Sequence, residues 1–255
     1  MHIANKTEVA HLPSNIWEFG ESIQRSLAHG RWRLMLDGML VTIQISLGAV
    51  LLGLFIGSII AYLKFSKYKP LRAIAFIYLG IIRGTPSVTQ LLIISATLFA
   101  GFRGNRIWIG IVGLGINSGA YVAEIIRAGV LSIDKGQQEA GLSIGFTKVQ
   151  TMRYIIMPQA IKNIIPTFVN EFIVLIKETA IVGFVAASDL TRVATQIMTR
   201  TFEFTPLLIS AVMYLVLISI LTFLLGVFEK KLRASDKDAP PLRKRRSKVK
   251  QEATS

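Results

Sequence analysis

The chain has 255 residues, of which 52% are hydrophobic and none is cysteine. Its apolar runs are long enough to cross a bilayer, so the composition excludes an ordinary soluble domain and indicates a polytopic membrane protein. The lack of cysteine excludes a disulfide framework and a thiolate metal site. The net charge is +14. The locations of the basic residues along the chain are informative, because Lys and Arg collect on the cytoplasmic side of membranes. Nucleic acid binding is not predicted, since no folded motif accompanies the charge.

Residues 1–35 precede the first apolar run and are predicted to form an amphipathic segment at the membrane interface. Apolar residues recur at helical spacing from Ile16 to Leu27, with charged and amide side chains between them. Trp17 and Trp32 are the aromatic anchors expected at such an interface. An unstructured polar leader is the alternative that the sequence leaves open. No cleavable signal peptide is predicted.

The first predicted membrane span runs from about Met39 to Leu63. Small residues at every fourth position form a stripe along it: Ala49, Gly53, Gly57 and Ala61. Such a stripe lets two helix backbones approach closely, either within the subunit or against a second one. The basic loop 64–72 that follows predicts a cytoplasmic position for this end, and hence an outside position for the N-terminus.

The second predicted span, about Ala73 to Ala100, is interrupted by Pro86, which predicts a kink or break in the helix. A broken helix is tolerated in a membrane where it is buried in protein or lines a cavity. Arg83 lies just before the break and is therefore a candidate for a substrate path. The alternatives are a snorkelling arginine, a lipid contact, or an ion pair with an acidic side chain.

The third predicted span, about Ile107 to Leu131, is rich in glycine, which predicts close helix packing. Glu124 and Arg127 near its inner end are spaced to share one helix face. We interpret them as a structural ion pair at the membrane edge, since paired charges near an interface are less costly than isolated charges within the bilayer.

A polar stretch follows that is longer than a loop that only reverses the chain. Asp134 and Gln137 are spaced as a capping box for a short helix. Gly145 can adopt the backbone angles of a turn, and the chain would then enter a second helix through Pro158. This pattern predicts a short helix held crosswise under the membrane, which is suited to binding a soluble partner.

The fourth predicted span, about Ile164 to Ala187, carries ionisable side chains that are costly inside a bilayer. Glu171 and Glu178 are spaced two helical turns apart, and Lys177 lies on the neighbouring face. We interpret these three residues as candidates for the path of a zwitterionic or charged substrate. Pairing with other helices of the bundle is the alternative.

Three further segments complete the chain: a polar outer segment at 188–205, a last span at about 206–228, and a basic tail. The tail, residues 233–255, is predicted to be disordered and cytoplasmic, with a basic run at 243–246 that suits anionic lipid headgroups. The fold class is therefore all-α, with about five transmembrane helices and a cytoplasmic coupling helix.

Two motifs carry a resemblance to a known family. The first consists of Glu139, Ala140, Gly141, Gly145, Ile155 and Pro158. At this spacing it resembles the EAA loop of permease subunits of bacterial ATP-binding cassette importers, with Gly141 in place of an alanine and Met157 in place of a leucine. The second motif, Arg-Gly-Thr-Pro at 83–86 with Gln-Leu-Leu at 90–92, resembles the branch of that family that handles polar amino acids.

The resemblance implies a pore-forming subunit, not an enzyme, of an importer for a glutamine-, glutamate-, histidine- or arginine-type amino acid in a bacterial inner membrane. Residues 36–232 would form its membrane domain. It implies three protein partners: a second permease subunit, an extracellular substrate-binding protein, and a separate ATPase subunit that receives the helix around 139–144. No cofactor and no metal are expected.

Two sequence features bear on the source of energy. The chain contains no Gly-x-x-x-x-Gly-Lys-Ser/Thr phosphate loop, so it does not bind and hydrolyse ATP by that route. A secondary transporter driven by an ion gradient, with Glu171 and Glu178 as ion carriers, is the alternative function. Against it, the sequence shows no internal repeat of the kind such folds use.

Overall fold

The computed structural model describes residues 16–27 and 30–237, and its regular elements are helices. The helices are α1 (Ile16–Leu27), α2 (Arg31–Phe65), α3 (Lys69–Gly84), α4 (Ser87–Thr97), α5 (Ile107–Leu131), α6 (Lys135–Ser143), α7 (Lys148–Thr151), α8 (Met157–Glu178), α9 (Leu190–Thr201) and α10 (Thr205–Lys237). A π-helical segment, Met152–Ile156, joins α7 to α8, and a 3-10 segment, Thr179–Val185, continues α8. The all-α prediction is confirmed for the described residues. The basic run at 243–246 lies outside them.

The small-residue stripe of α2 packs inside the subunit, against α5. A Cβ atom on Gly53 would lie 2.9 Å from the Ser118 Oγ atom, and one on Gly57 would lie 2.7 Å from the Val122 Cβ atom. The two backbones therefore approach more closely than larger residues would permit. Because residue numbers rise together along the contact, α2 and α5 run in parallel. The sequence left open whether the stripe packs within the subunit or against a second subunit, and the structure shows that it packs within the subunit.

The chain returns between these two parallel helices through α3 and α4, which are bent by 108° at their junction. The bend falls at Thr85 and Pro86, so the predicted break is confirmed. Pro86 has an extended backbone and precedes the first residue of α4, as expected for a residue without a backbone N–H.

Three of the described helices, α2, α5 and α10, are long and apolar enough to cross a membrane, and the bent pair α3–α4 would be a fourth. Helix α8 is more polar, yet it lies along α5 in the opposite direction. Ile164 contacts the position of Gly129 near one end of α5, and Val182 contacts that of Gly110 near the other. The described chain thus makes about five traverses of the bundle, one of them bent and one polar.

Several helix ends differ from the predicted boundaries. Helix α2 begins at Arg31 rather than near Met39, directly after its N-cap residue Gly30, which has a φ of 78°. Helix α10 continues to Lys237, so the first residues of the predicted disordered tail are helical. Hydropathy identifies the apolar stretch of a helix. The helix itself continues into polar residues at both ends, so its boundaries lie beyond that stretch.

Two amphipathic helices lie at the end of the bundle opposite to α6. Helix α1 covers the residues whose spacing predicted it, and the Arg25 Nε atom lies 3.1 Å from the Glu203 Oε1 atom. Helix α9 begins after Asp189, whose carboxylate accepts hydrogen bonds from the backbone N–H groups of Thr191 and Arg192. Burial raises the pKa of the Asp189 carboxyl, and these hydrogen bonds oppose that shift.

Candidate coupling helix and substrate groove

The short helix α6 begins with a side-chain cap. The Asp134 Oδ1 atom accepts a hydrogen bond from the Gly136 backbone N–H at 2.6 Å, which satisfies one of the free donors at the helix start. The predicted capping box between Asp134 and Gln137 is wrong, because the complete box of this stretch is formed by Thr147 and Gln150 at the start of α7. Asp134 therefore caps α6 as predicted, but without Gln137, and the capping box lies at the start of α7 instead.

The turn after α6 depends on Gly145, which has a φ of 90°. Its backbone N–H donates to the Leu142 carbonyl, and the Phe146 N–H donates to the Gly141 carbonyl. These two bonds form a Schellman motif, in which a residue in the left-handed region ends the helix. Since a side chain is strained at this φ, glycine at position 145 fixes the direction in which the chain leaves α6.

Helix α6 is held against the next helix by a close approach at Gly141. A Cβ atom at this position would lie 2.6 Å from the Thr151 Cγ2 atom and 2.8 Å from the Ile155 Cδ1 atom. Gly141 and Thr151 are both buried. Gly141 therefore occupies the contact between α6 and the helix that follows.

Helix α8 begins at Met157 with Pro158 in its first turn, as predicted, but α7, which starts at Lys148, leads directly into it. Met152–Ile156 is a π-helical turn that carries the helix from α7 into α8, with Pro158 inside the continuous stretch. A widened turn changes the pattern of backbone hydrogen bonds just where the proline lacks a donor. Ile155 lies within this turn and contacts the position of Gly141, so two motif residues that are distant in sequence meet here.

The outer face of this α6–α7 hairpin is exposed. Glu139 and Ala140 are exposed, and large apolar side chains lie beside them in the open: Leu142, Ile144, Val149 and Tyr154. Ile144 is 69% and Val149 76% exposed, although both are apolar. An exposed apolar patch of this kind marks a surface that binds another protein or a membrane.

A groove of about 540 Å³ opens between α5 and α8, in the half of the bundle nearer α6. Polar side chains from both helices line it: Glu124, Ser132, Asn163, Thr167, Asn170 and Glu171. The Glu171 Oε1 atom accepts a hydrogen bond from the buried Ser118 hydroxyl at 2.9 Å. A cavity with a few convergent polar groups among apolar ones is the usual form of a site for a small molecule.

Glu124 at the edge of this groove is surrounded by three basic side chains. The Arg127 Nε atom donates to the Glu124 Oε2 atom at 2.8 Å, and Lys64 donates to the Oε1 atom. The Arg83 Nη1 atom lies 3.9 Å from the same oxygen. The predicted Glu124–Arg127 pair is present, and Arg83 has the acidic neighbour that the sequence left as one alternative. Three cations around one carboxylate leave the cluster with a positive balance.

Lys177 and Glu178, the other two candidates for a substrate path, do not line the groove. Lys177 is exposed and Glu178 is half-buried, one helical turn or more beyond the groove. Of the four predicted path residues, Glu171 lines the groove. Arg83 does not line it but lies next to Glu124, which does.

The family described as "Binding-protein-dependent transport system inner membrane component" matches residues 28–234, most of the chain. The chain belongs to this family. It is therefore an integral inner-membrane permease subunit, the pore component of a transport system.

Several relatives of this permease are matched over nearly their whole length. The arginine transport system permease protein ArtQ of Bacillus subtilis (strain 168) is 40% identical over 205 residues, which cover 79% of this chain and 94% of the relative. The glutamine transport system permease protein GlnP of Escherichia coli (strain K12) is 34% identical over 204 residues, covering 78% and 93%. A solved amino acid ABC transporter with histidines is similar in structure, with 41% identity, a TM-score of 0.76 and coverage of 84% and 98%.

One polar residue of the permease has a structural position that the sequence did not reveal. The buried Gln90 side chain donates through Nε2 to the Ile82 carbonyl at 2.7 Å and to the Thr85 hydroxyl at 2.7 Å. Its Oε1 atom accepts from the Asn117 side chain at 2.9 Å. Gln90 thus ties the α3–α4 corner to α5. An amide directly before the apolar run 91–94 was the available signal, because an amide that becomes buried needs partners.

Proposed function

We propose that this permease carries a polar amino acid of the glutamine, glutamate, histidine or arginine group into the cell, driven by a separate ATPase subunit. The names of the relatives, which include arginine and glutamine transport permeases, support the substrate class. The basic loop 64–72 and the tail 233–255 support a cytoplasmic position for the α6 end and the C-terminus, with the N-terminus outside.

The observation that carries the proposal is the mechanical continuity from α6 to the groove. Gly141 packs directly on Thr151 and Ile155, and these residues continue without a break into α8, which bears Glu171. A force that an ATPase applied to Glu139, Ala140 and their exposed neighbours would move α8 with α6. Because α2 and α5 are tightly packed on each other, the movement would open or close the groove between α5 and α8.

The groove supplies groups for both ends of an amino acid. Glu171 would accept hydrogen bonds from an ammonium group, and the positive balance around Glu124 would attract a carboxylate, with Arg83 as its least tightly held cation. Lys177 and Glu178 would act further along the path.

A second permease subunit would complete the pore, and a binding protein would deliver the substrate outside. Residues 36–232 would form the membrane domain, the segment 1–35 would lie at the interface, and the basic tail would contact anionic lipid.

The test is uptake by proteoliposomes that contain the permease with the subunits that copurify with it. ATP is enclosed inside, and radiolabelled L-arginine or L-glutamine is added outside with its binding protein. We expect uptake with ATP and none with a non-hydrolysable analogue. Uptake that instead follows an imposed proton or sodium gradient without ATP would support the secondary-transport alternative.

A further inference from the structure

A second cavity, of about 230 Å³, lies at the opposite end of the permease from α6. It is formed between the first turns of α2 and helix α9, and it shares no lining residue with the groove between α5 and α8. Under the proposed topology this end faces outside, where substrate arrives.

The wall of this outer cavity is apolar and closely packed. A Cβ atom on Gly38 would lie 3.0 Å from the Val193 Cγ2 atom and 3.1 Å from the Leu190 Cα atom, so α2 crosses directly over the first turn of α9. Val193 and Ile197 are buried and line the cavity. The two helices are thus closely packed beside the cavity, and buried side chains form part of its wall.

The rim of the outer cavity carries one charge of each sign, from different helices. Asp37 comes from α2 and Arg200 from α9, and both are exposed. Within the described part of the chain, neither side chain makes a hydrogen bond or an ion pair. Opposite charges that line one cavity without pairing leave a free carboxylate and a free guanidinium, each available to a ligand.

We propose that the outer cavity is a binding site for the backbone groups of a free α-amino acid. The Asp37 carboxylate would accept from the ammonium group. The planar guanidinium of Arg200 matches a carboxylate through two parallel hydrogen bonds. The aliphatic wall would face the substrate side chain and would not discriminate strongly between side chains. The inference rests on the proposed function, since such a site would hold substrate between its release outside and its entry into the pore.

The chain contains no cysteine, so a single introduced thiol can report on the site. Ser188 lines the cavity, and Ser188→Cys changes one atom without altering either charge. Thr195→Cys is the matched control, because Thr195 is exposed on α9 but does not line the cavity. Each variant is prepared as the complex with its copurifying subunits in phosphatidylcholine nanodiscs, and its rate of reaction with a maleimide is measured.

We expect millimolar L-arginine or L-glutamine to slow the labelling of Ser188→Cys and to leave Thr195→Cys unchanged. Agmatine, which is arginine without its carboxylate, should not protect. Adding Asp37→Asn or Arg200→Gln should raise the amino acid concentration needed for protection about tenfold, as expected for the loss of one charge-assisted hydrogen bond.

Two results would overturn the proposal. One is equal labelling of Ser188→Cys with and without amino acid, in a complex that still imports substrate with ATP; the import function would then stand without this site. The other is protection by added phosphatidylethanolamine, whose headgroup also carries an ammonium and an anion, with none by free amino acids. If ATP-driven import itself is absent while protection persists, the proposed function fails and the site remains.

Discussion

The Ser118 hydroxyl on α5 donates a hydrogen bond to the Glu171 carboxylate on α8, at an oxygen–oxygen distance of 2.9 Å. Ser118 also contacts the position of Gly53 on α2, so this bond joins the polar helix to the tightly packed α2–α5 pair. This hydrogen bond joins the two helices that border the groove, and its Glu171 end lines the groove. Glu171 therefore lies where substrate binding and helix movement would be coupled.

Replacing Glu171 with Gln should lower ATP-driven uptake at least tenfold while leaving assembly intact, because the amide keeps the size of the side chain but loses the charge. Ser118→Ala is the matched variant, which removes the hydrogen bond and keeps the carboxylate. It should cost about 1 kcal/mol of stability and reduce uptake less. The measurements are uptake in proteoliposomes and thermal unfolding in detergent. Normal uptake by Glu171→Gln would remove this residue from the substrate path.

Replacing Gly145 with Val should abolish copurification of the ATPase subunit. At a φ of 90° a β-branched side chain is strongly strained, so the turn after α6 would change direction and displace the exposed patch. Gly145→Asn is the control, since asparagine tolerates positive φ better than other residues with side chains. The quantity measured is the ratio of ATPase to tagged permease in a detergent pull-down. Equal recovery with Val and with Asn would contradict the role given to the turn.

Replacing Gly141 with Ala, the residue that the related permeases are expected to carry, should destabilise this permease locally. Alanine gains about 1 kcal/mol of helix propensity over glycine, but crowding in a packed contact costs typically 1–3 kcal/mol. The new Cβ atom would lie 2.6 Å from the Thr151 Cγ2 atom, so the crowding should exceed the gain. Hydrogen exchange of the α6 amides should then accelerate relative to those of α9. The double variant Gly141→Ala with Thr151→Ala should restore protection; if it does not, the steric explanation is wrong.

The features that the sequence predicted well are those set by local backbone chemistry. Pro86 has no backbone N–H to donate to the preceding turn, whatever surrounds it, and Gly145 is suited to a turn for an equally local reason. The apolar spacing of residues 16–27 likewise predicted α1. Each of these depends on neighbours within a few positions in the chain, which the sequence contains directly.

The features that could not be predicted depend on which helix packs on which. The stripe at Gly53 and Gly57 was compatible with either a sister subunit or α5. The spacing of Glu124 identified Arg127 as a partner, but Lys64 comes from another helix. The π-helical turn before Pro158 places Ile155 against the position of Gly141, and a contact between two segments of this kind is not specified by the local sequence.

Replacing Gln90 with Leu should destabilise the corner between α3 and α4. The apolar side chain would leave the buried Asn117 amide without its acceptor, and each unsatisfied buried polar group costs about 1–3 kcal/mol. Asn117→Leu alone should be similarly costly. Both changes together should cost less than the sum, because the two amides are hydrogen-bonded partners. A thermal-unfolding double-mutant cycle measures this coupling, and strictly additive losses would show that the two side chains act independently.

Arg83 and Arg127 should differ in what they contribute, although both lie near Glu124. Arg127 donates at 2.8 Å, whereas the nearest Arg83 nitrogen is 3.9 Å away, so Arg83 is held less tightly. Arg127→Gln should therefore lower the thermal stability more than Arg83→Gln does.

If Arg83 attracts the substrate carboxylate, Arg83→Gln should reduce uptake of L-arginine and L-glutamine several-fold while the unfolding temperature stays near that of the wild type. Arg72→Gln serves as a comparison, since Arg72 is exposed and does not line the groove. A loss of stability in Arg83→Gln as large as that in Arg127→Gln, with no separate loss of uptake, would make Arg83 a structural partner of Glu124.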